Sequence, residues 1–424
     1  TTTTPARSVY RELQNGRHSP EPQLVPSADN ATGFAPTFPP TTTRGDGRQS
    51  QLEALWMFST RDRQTNCRRV PAASSDGTVK VHASERGTYF TGLQTCGHVS
   101  CPVCGPTMRE AERERLGSVV AGHIEAGGSV YLFLLSLSHG PLDRLDDLLG
   151  ALDAGRSAAI GGTGGSRWAK DRRDYGVVGT AWYREDVYGR NGWHPHVHGL
   201  LFTDRDLDDD ELDALGARIY GRHRDVLDGL GRRARAVANG LERVRDPAAL
   251  PGYATKPDRA DRRAAAVSAE MTRGDLKTAA GMTPGQLLRR FTETGDSADL
   301  SLFLEYEQGQ VGRRWRYLAP ALTKLYGGRE TADEGDVDAA AAEDREDAAE
   351  DVGGDVVMCV PLTAWRVITG RRGAVSDLRR MIHLGDIDRA RWFVAEAQRE
   401  AERRAAAFAL DNVRAGPWGA VRQN

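Results

Sequence analysis

Large apolar positions first become periodic near Gln51, where "QLEALWMF" has helical spacing. Before it, residues 1–50 are rich in Thr, Pro, Ser and Gly with few large apolar groups, which predicts a disordered lead. A cysteine-rich stretch from about 61 to 107 reads as loop, and "PTMREAERERLGSVVAGHIEAGG" reads as a helix that stops at paired glycines. "SVYLFLLSLSHG" (129–140) is continuously apolar before turning polar, as a buried strand should be. Helical spacing returns in "LDRLDDLLGALDAG" (142–155). "GVVGTAWYREDVY" (176–188) and "WHPHVHGLLF" (193–202) read as two strands about the turn "GRNG". "DDDELDALGARIYGRHRDVLDGLG" (208–231) is a helix whose first-turn acids complement the backbone dipole. A short strand near "GLERV" (240–244), a helical stretch at "DPAALPGYATK" and further helices to about 327 follow. "VVMCVPLTAWRVITG" heads a helical C-terminal piece, with Cys359 in its core. Strands interspersed with helices, including one hairpin, predict an α+β domain on an antiparallel sheet.

Composition changes this picture in two places. The 424 residues suffice for two or three domains with at least one substantial core, and no run reaches the roughly 18 apolar residues that cross a bilayer. The start lacks the apolar segment of a secretory signal, so a cytoplasmic protein without membrane partners is expected. In that compartment five cysteines point to metal rather than disulfides. The net charge of −2 is uneven: Arg329–Asp355 holds twelve acidic and two basic residues, so the rest of the chain carries +8. An acidic linker thus masks a basic body compatible with a polyanionic partner. Of the basic residues 52 are Arg and five are Lys, a skew that says little about chemistry.

"NGWHPHVHGLLF" places His194, His196 and His198 at alternate positions. Residues two apart in a strand share a face, so His196 and His198 point together, a rigid pair of metal ligands. The hairpin offers a third. A turn at 189–192 sets Glu185 opposite His196, and a two-residue turn at Asn191-Gly192 sets it opposite His198. Two His and one Glu with open positions suit Mg2+ or Mn2+ as a Lewis acid. The competing reading is half-buried strand histidines with hydrogen-bonded partners, and Pro195, which lacks a donor, counts against an uninterrupted ladder.

"PGYATKPD" gives Tyr253 and Lys256 one helical turn apart. A phenol with a pKa of about 10 needs a nearby cation to become a nucleophile, and Lys256 is one. Alone, the pair reads as a packing aromatic and a solvated cation. "TCGHVSCPVCGPTMRE" supplies Cys96, Cys101 and Cys104, with Cys67 or His98 as the fourth ligand of a tetrahedral structural Zn2+ site. Arg313, Arg314 and Arg316, interleaved with Trp315 and Tyr317, form either a DNA contact or a solvated helix face.

In combination these features resemble the HUH-type rolling-circle replication initiators of actinobacterial plasmids. "NGWHPHVHG", the glutamate nine residues before His194, the downstream Tyr-x-x-Lys box, the upstream cysteine knuckle and "TPGQLLRRF…GDSADLSLFLEYEQGQVGRRWRYLAP" carry the likeness across about residues 52–327. The resemblance implies a zinc-binding segment and helix (51–128), an HUH nickase domain (129–265), a helical DNA-contact segment (266–328), the acidic linker (329–354) and a helical C-terminal segment (355–424). It implies nicking of one origin strand, with metal held by His196, His198 and Glu185. Tyr253 becomes linked to the 5′-phosphate, the freed 3′-hydroxyl serves host polymerase, and a host helicase is a further expected partner. Departures from the family pattern are the "SLS" ending at Ser136–Ser138, Pro257 after the lysine, and the missing second tyrosine. Ser136, Ser138 and His139 are left without a role, and Glu242 or Asp258 is a candidate to activate water for the terminating cleavage. Rival readings are a relaxase or transposase of the same class, a non-catalytic zinc-dependent DNA-binding protein, and a metal-dependent hydrolase that uses water.

Overall fold

The computed structural model describes residues 44–73, 75–84, 87–162, 166–234, 241–244, 281–326 and 355–415. Helix α1 (Arg44–Phe58) and the short α2 (Asp62–Asn66) lead into a hairpin, β1 (Thr78–Ser84) and β2 (Gly87–Thr91). This hairpin lies inside the cysteine-rich stretch expected to be loop. Its pattern is brief but alternating, with Val79 and Val81 fully buried. Helix α3 (Cys104–Glu125) follows.

Next come β3 (Ser129–Ser136), α4 (Leu145–Ile160), α5 (Arg167–Asp174), β4 (Val177–Gly189), β5 (Gly192–Thr203) and α6 (Asp209–Gly229). Helix α6 starts where Asp208 accepts from the Glu211 amide while the Glu211 side chain caps the Asp208 amide. After β6 (Glu242–Arg243) and β7 (Gly281–Met282), α7 (Pro284–Thr294) opens on a second such box, Thr283 with Gln286, and stops at Gly295 in the left-handed region. Helix α8 (Ser297–Gly309), β8 (Arg316–Leu318) and α9 (Pro320–Tyr326) complete the middle of the chain. β8 replaces the helix expected across 313–317.

A six-stranded antiparallel sheet runs β6-β3-β5-β4-β7, with β8 also pairing β4. One face, carrying Tyr131, Phe133, Leu135, Val197 and Leu201, is covered by α4 and α6 through Leu145, Leu148, Leu152, Leu215 and Ile219. The other face buries Val130, Leu200 and Phe202 against Leu116, Val119 and Val120 of α3 and Leu322 of α9. The α+β class with antiparallel sheets is therefore the observed one.

The C-terminal piece requires a correction. It opens not as a helix but as strand β9 (Asp355–Pro361), followed by α10 (Leu362–Thr369), α11 (Ala374–His383) and α12 (Ile387–Ala415). β9 pairs with β1, completing a second sheet of order β2-β1-β9. Met358 and Val360 face inward while Cys359 is exposed, so the expected core cysteine is a surface residue on an alternating strand. The β9–α12 segment and α1 share one core with the cysteine-rich segment, including Leu55, Phe90, Trp365 and Leu378. Among the described residues no helix is long and apolar enough to cross a membrane.

Gly199 shows how tightly the central strand is set. It stands directly between Phe133 of β3 and Trp182 of β4, and a Cβ there would lie 1.9 Å from the Phe133 ring. Gly199→Ala is expected to cost about 1–3 kcal/mol by overpacking. Calorimetry of the full chain should show a lower melting temperature. An unchanged one would mean that the Phe133 ring does not cover this position.

Candidate metal centres

The β4–β5 hairpin closes with Gly189 paired to Gly192, and its register sets Glu185 directly opposite His196 and Tyr183 opposite His198. Of the two registers that the sequence allows, this is the one generated by a turn at 189–192. Gly192 adopts φ +81°, and a Cβ there would lie 2.7 Å from the Gly140 carbonyl oxygen, so glycine is required on both counts. Pro195 does not break the β4 ladder, which runs past it without a shift. On the other side, β3 pairing ends at Ser136 opposite His196, one step before the proline that brings no donor.

Glu185, His196 and His198 therefore share one face at the end of the sheet, with Glu185 7% and His196 8% exposed. Glu185 Oε2 lies 3.0 Å from His196 Nε2 and 3.3 Å from His198 Nε2. The other ring nitrogen of His196 is 3.2 Å from the His194 carbonyl. An N–H donated there leaves the Nε2 lone pair facing the carboxylate side, the tautomer a metal ligand needs. Two imidazole nitrogens and one carboxylate oxygen converging from rigid strands form a group that could hold a metal ion. The donor chemistry suits a divalent cation with positions left open.

The strand below is held from its other face. Arg184 Nε donates to Asp186 Oδ2 at 3.2 Å, Gln310 Nε2 donates to the same oxygen at 3.2 Å, and Arg184 also bonds Gln310 Oε1. With the Arg184 amide bonded to the Trp315 carbonyl at 2.8 Å, these contacts fix the residues on either side of Glu185. Sequence reading missed this clamp, because Gln310 lies far along the chain and none of its members forms a local motif. On the metal face, Tyr183 donates to Glu112 Oε1 at 2.8 Å, and burial pushes its phenol well above the ordinary range. That tyrosine is structural.

His194 lies beside the pair but outside the converging group. Its ring stacks on His196 and on His139, with centroids 4.9 Å apart in each case. His139 Nδ1 is 2.9 Å from the Asn191 carbonyl, which pins the β3–α4 loop to the hairpin turn. Ser136 is the direct partner of His196, and Ser138 Oγ accepts from the Arg233 amide. Glu242 is exposed on the edge strand opposite Leu132. Tyr253, Lys256 and Asp258 lie outside the described residues.

The cysteines form the second centre. Cys67, Cys96, Cys101 and Cys104 are all buried and converge. Cys67 Sγ is 3.7 Å from both Cys101 and Cys104, and Cys96 is 3.7 Å from Cys104. A disulfide needs about 2.05 Å. A tetrahedron with zinc–sulfur bonds of about 2.3 Å has edges of about 3.8 Å, so the spacing fits four thiolates around one ion. Hydrogen bonds from Cys101, Cys67 and Cys96 hold the Cys104 thiol far below its ordinary value, whereas burial pushes Cys101 far above it. One buried thiolate is thus favourable and four require a cation. His98, the alternative fourth ligand, instead meets Arg61 at 3.2 Å, and burial lowers its pKa to about 4.

Arg313 and Arg314 occupy the turn between α8 and β8, not a helix. Arg313 is ion-paired with Asp146 at 2.6 Å and Asp153 at 3.5 Å, while Arg314 is exposed. Arg316 is bound to Glu112.

Comparison with known proteins gives two relatives. The chain is 30% identical over 364 residues to "Protein rep" of Streptomyces lividans, covering 70% of this chain and 77% of that protein. It is 31% identical over 150 residues to the neomycin resistance protein of Streptomyces cyanogenus, covering 30% of this chain and 34% of that one. No family model and no solved structure matches.

The cysteine cluster yields a direct expectation. Elemental analysis of the purified chain should find one thiophilic dication per molecule, and Cys67→Ala or Cys101→Ala should lose it and lower the melting temperature. A metal-free wild-type chain with unchanged stability would remove the cluster from the list of metal sites.

Proposed function

The chain belongs to the family of actinobacterial plasmid Rep proteins, and from that premise we propose that it initiates rolling-circle replication by nicking one origin strand. The observation that carries this reading is the convergence of His196 Nε2, His198 Nε2 and Glu185 Oε2 on one face of an antiparallel hairpin. That donor set is the one an HUH endonuclease uses, and residues 129–265 are proposed as that domain. The catalytic ion is Mg2+ or Mn2+, and Zn2+ fills the cysteine cluster. A divalent ion held by His196, His198 and Glu185 would supply Lewis-acid polarisation of the scissile phosphate.

The chain's own residues do the rest. His196, His198 and Glu185 are fixed before substrate arrives, so no reorganisation accompanies the reaction. Tyr253 is the nucleophile. Its oxygen bonds to phosphorus and its proton is lost to solvent, while the P–O3′ bond breaks and the departing oxygen takes up a proton. Lys256 stabilises the phenolate. The product is a 5′-phosphotyrosyl linkage with a free 3′-hydroxyl for host polymerase, with a host helicase opening the duplex. Because the linkage conserves the phosphodiester bond energy, attack by a 3′-hydroxyl reverses it and rejoins the strand. Such transfer depends mainly on positioning and charge neutralisation, which this arrangement supplies. Segment 266–328 is proposed to hold the flanking DNA. A protein acting on a plasmid origin works in the cytoplasm.

Incubation of the full chain with single-stranded DNA from its cognate origin and Mn2+ should give an SDS-resistant protein–DNA adduct. Tyr253→Phe should abolish the adduct, and Glu185→Ala should slow nicking at least about 100-fold. An adduct that persists in Tyr253→Phe would refute the assigned nucleophile. Cleavage without any adduct would identify a hydrolase that uses water.

A further inference from the structure

On the face of the sheet opposite the histidines lies a cavity of about 720 Å³. Trp182 and Tyr317 are paired across β4 and β8, with rings 6.1 Å apart and 19° from parallel. Both line the cavity, together with Arg156, Arg172, Arg313 and Arg314. Among the described lining residues Asp153 alone is acidic, so the wall carries a surplus of three positive charges. Arg156 lies over Trp182 with its Cζ 4.1 Å from the ring centroid, and its buried Nε has no hydrogen-bond partner among the described residues. Its carboxylate contact among the described residues, to Asp153, is long at 3.4 Å. Arg172 and Arg314 are exposed at the rim and form no ion pair among the described residues. A half-buried tyrosine, a guanidinium over a buried indole, and rim arginines without an ion pair make up the chemistry that recognises a nucleotide, with phosphate on the arginines and base against the tyrosine ring.

We propose that this cavity binds one nucleotide of a single DNA strand, with its phosphate at Arg172 and Arg314 and its base against Tyr317 and the Arg156 guanidinium. The assignment of DNA as the polyanion rests on the function proposed above. The cavity itself is independent of the nicking chemistry, because Trp182 faces away from its strand neighbour Tyr183 and from His198, the β5 partner of Tyr183. β8 forms the margin of the sheet beside it. A strand leaving the histidine face can therefore reach the cavity only by turning over that margin, which makes it a hold for the flank rather than for the scissile bond. Arg313, already neutralised by Asp146 and Asp153, shapes the wall and is not the phosphate contact.

The test uses the full chain, dT15 and no added divalent cation, so that binding is read without cleavage. dT15 should quench tryptophan fluorescence. Arg172→Ala/Arg314→Ala, two rim changes that leave the core intact, should weaken binding at least tenfold and abolish the quench. The variant should also lower the slope of log K against log salt by about 0.7, the value for one neutralised phosphate on a single strand. Tyr317→Ala should lose the quench while keeping most of the salt dependence. Quenching by free dTMP as strong as by dT15 would support the cavity with a free nucleotide as its occupant, and quenching by dT15 alone supports the strand. A double variant that binds dT15 like the parent overturns the proposal. Adduct formation with origin DNA is measured separately, so failure of the nicking reading leaves this result interpretable.

Discussion

The arrangement at the metal face depends on the register between β4 and β5. Side chains alternate along a strand, so a slip of one residue would send Glu185 to the opposite face while the imidazoles stayed. The hairpin prevents this at both ends. At the turn, Gly192 sits at φ +81° against the Gly140 carbonyl, and a slip would bring a side chain into that contact. Further along, Gly199 is the position where the Phe133 ring crosses the sheet, and no neighbouring residue could take its place. The carboxylate is also locked from behind, since its neighbours Arg184 and Asp186 are both tied to Gln310. A ligand held on both sides along its strand has little freedom left to lose when a cation or a phosphate arrives.

The cysteine cluster plays a comparable part for the second sheet. That sheet is only three strands deep and joins chain segments from opposite ends of the described residues, β1 and β9. Its core includes the four cysteines themselves, packed with Leu55, Phe90 and Trp365. Cys67 precedes the hairpin while Cys104 begins α3, so an ion between them ties the hairpin to the helix that covers the histidine face. A cation there contributes folding free energy where the segment buries modest apolar surface. Further contacts come from α7 and α8: Leu288, Phe291 and Phe303 join this core, and Glu307 accepts from Ser59 Oγ at 2.8 Å and from the Thr60 amide at 3.2 Å.

Much of the metal face was legible because it depends on short-range periodicity. The alternation of histidines set their shared face, and an even-length loop put Glu185 with them whichever turn formed. The choice between two registers was not legible, because "GRNG" accommodates either and the deciding contact comes from Gly140, some fifty residues earlier. The knuckle was legible from spacing, but the choice of Cys67 over His98 rests on Arg61 holding the imidazole. β9 was misread for a related reason. An apolar run such as "VVMCV" looks buried throughout, yet half of it faces out once β1, more than two hundred residues away, supplies the partner. The Arg184–Asp186–Gln310 clamp and the pairing of Trp182 with Tyr317 likewise join positions more than a hundred residues apart, with no local pattern to announce them.

β4 carries both halves of the molecule's chemistry on alternate residues. Glu185 and Tyr183 point to the metal face, while Arg184 and Trp182 point to the helical face with its basic cavity. Because β8 pairs with β4 through Trp182–Tyr317 and Tyr183–Arg316, one short strand braces both faces together. Its Arg316 reaches Glu112 beneath the metal side, while its Tyr317 lines the cavity on the other.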